Sequence, residues 1–296
     1  GLSLNVHKCE IISNTGFSNL PQQFNNFKKI IPEESELLGA PLINSEALSR
    51  ALDARCSDLA RACNRLKLLS THDALLILKH SLSSPKVLYL LRCSPCTGHD
   101  ALDVFDANLR LALSGITNVD ISDQAWIQAS LPVAQGGLGI RSVALLAPSA
   151  FLASAAATLN LQDLLLPTGF DIVDPCRESA LDTWRSRFGA EAPGLLADTK
   201  QAEWDAASVN HGLAILWDNA TEPYHRARLL ACQAAHSGDW LNAWPITACG
   251  LRLDDEAIRV AVGLRLGVNI CHPHMCPCGA NVDARGNHGL ACHVSA

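Results

Sequence analysis

SEALSRALDARCSDLARACNRL, residues 45–66, decides the fold class. Leu48, Leu52, Cys56, Leu59, Cys63 and Leu66 recur at steps of three and four, and Arg50, Arg55, Arg61 and Arg65 stand between them. That spacing gives a helix with one apolar stripe for a core and a charged side for solvent. Asn44 or Ser45 can cap its start.

The helical period continues downstream. A second helix is expected over about Thr71–Leu82 with Thr71 as N-cap, and a third after Pro85 (KVLYLLRC). A fourth should span His99–Ser114, with Leu102, Phe105, Leu109 and Leu113 on one face. Ser122 and Asp123 start a short helix that must stop before Pro132. Gly136, Gly137 and Gly139 require a turn with positive φ or close backbone contact. A long Ala-rich helix follows from Val143; shorter ones are expected near 177–188, 199–209 and from Tyr224, and Asp254 caps a last one.

Upstream the pattern is different. GLSLNVHKCEII, residues 1–12, reads as a strand; 13–34 reads as a polar loop or strand edge; LLGAPLI, residues 37–43, reads as a tight hairpin. With aromatics at only 5% and Ala and Leu abundant, the chain should be mainly α, with a small N-terminal β element. The expected divisions are 1–43, 44–165, 166–268 and 269–296, with a Pro/Gly-bearing joint near 166–175.

A chain of 296 residues, 48% hydrophobic and 18% charged, can bury a substantial core, and its composition excludes general disorder. The most apolar segment, Ser142–Leu159, is rich in Ala and Ser, carries Pro148 and reads as a buried helix, so no membrane span is expected. The chain starts with Gly, holds one Met and shows no signal segment; we expect a fragment of a longer, intracellular (nuclear or cytoplasmic) polypeptide.

The formal net charge is −6, but the excess of bases collects between Arg50 and Arg92, where eight Lys/Arg face Asp53, Asp58 and Asp73. That stretch is the first place a polyanion would bind. Charge alone fits a solvated helix face equally well.

Most of the 12 cysteines sit singly in apolar helical patterns, which indicates free thiols in a reducing compartment. The C-terminal run CHPHMCPCGANVDARGNHGLACHVSA differs. Cys276, Cys278, His288 and Cys292 can close a tetrahedron around zinc, and a closed four-ligand set is structural rather than catalytic. The one-residue gap between Cys276 and Cys278 is shorter than usual, and Cys271, His272, His274 and His293 are alternative ligands.

Other constellations do not make a catalytic site. Asp254 and Asp255 resemble paired metal-binding carboxylates, but they open an amphipathic helix, where acids favour the dipole. QGGLG lacks the Lys-Ser/Thr of a phosphate loop. Cys93-x-x-Cys96 lacks a thioredoxin-like strand pattern and reads as ordinary thiols near a helix end. His211, His225 and His236 have no nucleophile at a recognisable spacing.

GLSLNVHKCE followed by LLGAPL resembles the segment after the catalytic Asp-Asp strand in reverse transcriptases of non-LTR retrotransposons. SPKVLYLLRCSPC, AWIQASLPVAQGGLGIRS and HSGDW…CGLRLDDEAIRVAVGLRLG are more loosely similar to the thumb and connector of such elements in animals. CPCG…VDARGNHGLAC is similar to the Cys-Cys-His-Cys motif of their restriction-like-endonuclease branch. The resemblance implies the end of a palm at 1–43, a thumb-like bundle, a connector and a zinc knuckle. It implies RNA and DNA (template-primer) as partners, with no small-molecule substrate. Lys8 would lie near the polymerase site and Leu38-Gly39 would support the primer end, while Arg50, Arg55, Arg61, Arg65 and Lys67 would grip the nucleic acid. The polymerase aspartates, and the Mg they hold, would belong to the parent chain upstream of Gly1, so no catalytic residue is expected here. A helical protein-interaction module with a structural zinc site, or a non-functional element remnant, fits the same composition.

Overall fold

The apolar stripe at 45–66 becomes α1 (Glu46–Leu66), whose buried residues include Leu48, Leu52, Cys56, Leu59, Cys63 and Leu66. In this computed structural model residues 4–13, 16–18, 20–167, 173–193 and 200–294 are described; Gly1–Ser3 of the expected first strand and part of the 166–175 joint lie outside them. Ser45 occupies the N-cap position of α1, but its hydroxyl makes no capping bond.

The helices follow in order: α2 (Thr71–Ile77), running into a π-helical turn at Leu78–Leu82, then α3 (Leu88–Cys93) and α4 (Asp100–Thr117). α5 (Asp123–Ser130), α6 (Val143–Leu165), α7 (Pro175–Phe188), α8 (Gln201–Asn219), α9 (Pro223–Gln233) and α10 (Asp255–Leu266) complete a mainly α molecule. Ser122 accepts from Ala125 N to cap α5, and Asp254 accepts from Ala257 N to cap α10. α2 is capped by Ser70 rather than Thr71: Ser70 accepts from Asp73 N, and the Thr71 N–H donates instead to Asp255 Oδ1 at 2.8 Å. α4 runs three residues beyond Ser114 before Asn118 turns left-handed at φ 49°.

The strands are short. The expected strand over 1–12 shrinks to β1 (Glu10–Ile12), because Asn5 accepts from His7 N and starts a 3-10 turn at Val6–Lys8. β1 pairs in parallel with β2 (Lys28–Ile30), where Lys28 meets Glu10 at 3.0 Å. β3 (Glu36–Leu37) and β4 (Ala40–Pro41) form the expected tight hairpin, with Leu38 and Gly39 both at positive φ. β5 (His274–Met275) and β6 (Asn281–Val282) make a second small hairpin near the C-terminus.

The largest core joins α1–α6 with Leu241 and with Ile258, Val262 and Leu266 of α10. It therefore crosses the 165/166 division. Two smaller clusters adjoin it. Trp184 of α7 and Trp204 of α8 pack edge-on at 5.4 Å beside Leu152 and Ala156 of α6. Leu131, Val209, Leu216, Ala220 and Leu229 link α5, α8 and α9. α6 is long and apolar enough to cross a membrane, but half of its most apolar window is buried in the protein.

The QGGLG turn is a packing device. Gly136 and Gly139 hold positive φ, and a Cβ on Gly137 would collide with the Leu131 and Gln128 carbonyls. Beneath it the buried Arg265 donates to the carbonyls of Val133 (2.8 Å), Gly137 (3.0 Å), Ser237 (3.1 Å) and Cys232 (3.2 Å). The amides of Gly136, Gly137, Leu138 and Gly139 donate to the carbonyls of Val133, Pro132, Ala129 and Leu131, so the turn's donors do not surround an open phosphate site.

Candidate functional site

The hairpin β5–β6 and the 3-10 turn at Asn287–Leu290 bring Cys276, Cys278, His288 and Cys292 together, with all four ligand atoms within 4.8 Å of one another. Cys276 N donates to Ala280 O (2.9 Å) and Gly279 N to Cys276 O (2.8 Å). With Gly279 at φ 86°, these bonds form a knuckle tight enough to put both Cys276 and Cys278 on one centre despite the one-residue gap. Cys276 Sγ and Cys292 Sγ are 3.5 Å apart, and Cys278 Sγ and His288 Nε2 are 3.2 Å apart. Metal–sulfur bonds of about 2.3 Å put tetrahedral donors roughly 3.8 Å apart, within the range seen here. The group can hold a metal ion.

The four side chains crowd one another electrostatically. The Ala280 amide pulls the Cys278 thiol down, but hydrogen bonding to Cys276, desolvation, Cys292 and the Cys276 charge outweigh it, and the net direction is up. Hydrogen bonding to Cys276 chiefly raises the His288 imidazole, against slight desolvation. A divalent cation would reverse both directions by stabilising thiolate and neutral imidazole. Cys271 packs against the cluster, but its sulfur donates to Asp283 O at 3.2 Å and it is not in the four-ligand group.

The basic stretch divides into paired, buried and uncompensated groups. Arg50 donates to Glu34 at 2.9 Å, and Arg61 pairs with Asp58. Lys86 reaches the same Asp58 at 3.7 Å, and Arg92 donates to Gln201. Lys79 is buried, donating to Leu241 O (3.2 Å) and Asn242 Oδ1 (2.6 Å); desolvation, then Arg265, lowers its ammonium to about 8. Arg55, Arg65 and Lys67 are exposed and have no ion-pair partner among the described residues. Arg50, Arg61 and Arg65 lie along one side of α1, since eleven residues make about three turns; Arg55 points elsewhere.

Lys8 is exposed in the 3-10 turn before β1, with no hydrogen bond or ion pair to α1 among the described residues. Leu38, 87% exposed, stands at the hairpin tip with Gly39, and its carbonyl accepts from Tyr89 OH at 3.0 Å. The hairpin packs on α1 and α3.

Asp254 and Asp255 both serve helix N-termini, Asp254 its own and Asp255 that of α2. Burial pushes the Cys96 thiol up to about 12 and the Cys56 thiol to about 11, as expected of inert core thiols. The sequence reading missed the seat of the knuckle on α9. There Arg285 stacks over Tyr224 at 5.0 Å and donates to His225 Nε2 at 3.1 Å. One signal was a lone Arg between metal-ligand positions. Comparison with family models, curated proteins and solved structures gives no match for this chain.

Proposed function

We propose that the chain is a template-primer-binding portion of a non-LTR retrotransposon reverse transcriptase, acting inside the cell on RNA and DNA, and that its four-ligand cluster holds structural zinc. The observation that carries the nucleic-acid reading is that Arg65 near the end of α1 and Lys67 at its C-cap, with Arg55 on another side of the helix, have no ion-pair partner among the described residues. The charge left without an internal acid is free to displace counterions from phosphates. Lys8, Leu38 and Gly39 fit the primer side of such a grip, and the Mg of polymer chemistry would reside in the parent chain. Three thiolates and one imidazole suit zinc better than hard, oxygen-seeking cations.

Fluorescence anisotropy with a labelled RNA–DNA primer-template tests this. Binding at about 50 mM salt should weaken steeply by about 200 mM, and the double change Arg65→Glu, Lys67→Glu should reduce the slope of log K against log salt by about 2. No binding at the lower salt overturns the reading. The pairing of Arg50 and Arg61 with internal acids favours a second reading, a helical protein-interaction module with a zinc knob. It predicts partner capture that ignores salt and tolerates Lys67→Glu.

A further inference from the structure

We propose that helix α9 senses metal occupancy of the knuckle through Arg285, and that Cys232 reports the coupling. This rests on the metal reading of the four-ligand cluster.

The segment that carries the ligands buries only Cys276, Val282 and Cys292, with Cys271 packed against them. So small a core cannot offset the chain entropy of ordering the knuckle, so the ion must supply the difference. Arg285 sits in the turn after β6, between Cys278 and His288 in sequence, so its position depends on the same closure. Its guanidinium lies over Tyr224 at 5.0 Å, contacts His225 Nε2 at 3.1 Å and stands 3.8 Å from Glu222. Next to it, Asn287 Oδ1 accepts from Tyr224 OH at 3.2 Å. These partners belong to the first turn of α9 or the residue before it.

A second strut ties the knuckle to α10. Ile270 N and Cys271 N both donate to Ala284 O, at 2.8 and 3.1 Å. The Ile270 side chain fills space that only glycine leaves at Gly263 and Gly286, and Arg259 donates to Ile270 O. The loop at 283–287 is thereby wedged between the start of α9 and the exit of α10.

Farther along, α9 is held by a few buried groups around Arg265, which with Ser237 donates to the Cys232 carbonyl. Its buried residues are Leu229 and Cys232. Cys232 Sγ donates to Arg265 O at 3.3 Å, and Arg228 donates to the same carbonyl and to Gln128 Oε1 at 2.8 Å. Removing the ion frees the first turn, and local opening of α9 then exposes a thiol that is 7% accessible in the closed form. Coupling is reciprocal, so a change that loosens the seat must weaken metal binding by the factor that metal binding tightens the seat.

The test is alkylation of the full chain by iodoacetamide, read peptide by peptide by mass spectrometry, with metal content measured in parallel. Chelation should speed Cys232 labelling about tenfold, equivalent to about 1.4 kcal/mol of opening, while Cys56 and Cys96 in the main core stay protected. Arg285→Ala with its metal still bound should speed Cys232 labelling in the same way and lower metal affinity in a chelator competition. Arg285→Lys, which keeps the charge but loses the planar stack, should fall between. Unchanged Cys232 labelling in the chelated protein, or in metal-loaded Arg285→Ala, overturns the coupling while leaving the metal site standing. A wild-type protein that binds no zinc sinks the metal reading and the coupling together, and the metal analysis separates that case.

Discussion

The main core of α1–α6 and α10 and the C-terminal knuckle reach order by different physics. The first surrounds Leu48, Leu59, Phe105, Leu109, Leu113 and Ile258 with one another, all at most 1% exposed. The second has three buried side chains, two of them thiols whose sulfurs nearly touch. In the first, stability grows with apolar area removed from water. In the second, apolar area is too small to matter and ligand chemistry must dominate. Damage to one should therefore leave the other largely intact.

The sharpest way to break that division is Cys292→Ser. Zinc analysis should fall by one equivalent, and near-ultraviolet or proteolytic signatures of 269–294 should collapse. The main thermal transition should move by only a few degrees. Loss of the main transition along with the metal would show a single cooperative unit.

Phe105→Ala attacks the other side. Phe105 of α4 is 1% exposed in the largest core, and large-to-small changes of such residues cost about 3–5 kcal/mol. Chemical denaturation should register that loss with zinc content unchanged in the native baseline.

A smaller effect concerns Asp106 of α4, whose carboxylate reaches the first amides of α6. Its carboxylate accepts from Ser142 Oγ, Val143 N (2.8 Å) and Ala144 N (3.3 Å). Desolvation outweighs these bonds and Asp103 adds to it, so the carboxyl rises to about 6. The folded state then holds this proton more tightly than the unfolded chain. The associated stability is present below about pH 4 and declines as pH rises through about 6. Asp106→Asn should flatten that decline in denaturation midpoints measured from pH 4 to 7; an equal decline in the variant would assign it to other groups.

The two regions were also unequally legible. α1, α5 and α10 followed from periodicity and from the caps Ser122 and Asp254, because the interactions that define them are local. α8 runs on to Asn219, well past the expected end near 209, because its inward face includes Ser208 and Gly212. A Cβ on Gly212 would press on Leu131 of the facing segment, so a small residue sits where an apolar one would have marked the stripe. The four metal-ligand candidates are close in sequence and could be read together. The acids that pair with Arg50 and Lys86 lie 16 and 28 residues away across packed elements, and burial of Lys79 depends on Leu241 and Asn242. No local pattern announces such partners.

One bond carries a consequence for how the molecule is made. Asp255 supplies the acceptor for the first free amide of α2, 184 residues earlier in the chain, and α10 places Ile258, Val262 and Leu266 in the same core. On a ribosome the early helices emerge long before this late segment, and until it arrives their seam stays wet and open. The keystone of the first helices is thus translated 184 residues after the amide it caps, and the waiting interval is when those helices are most exposed to aggregation and most in need of a chaperone.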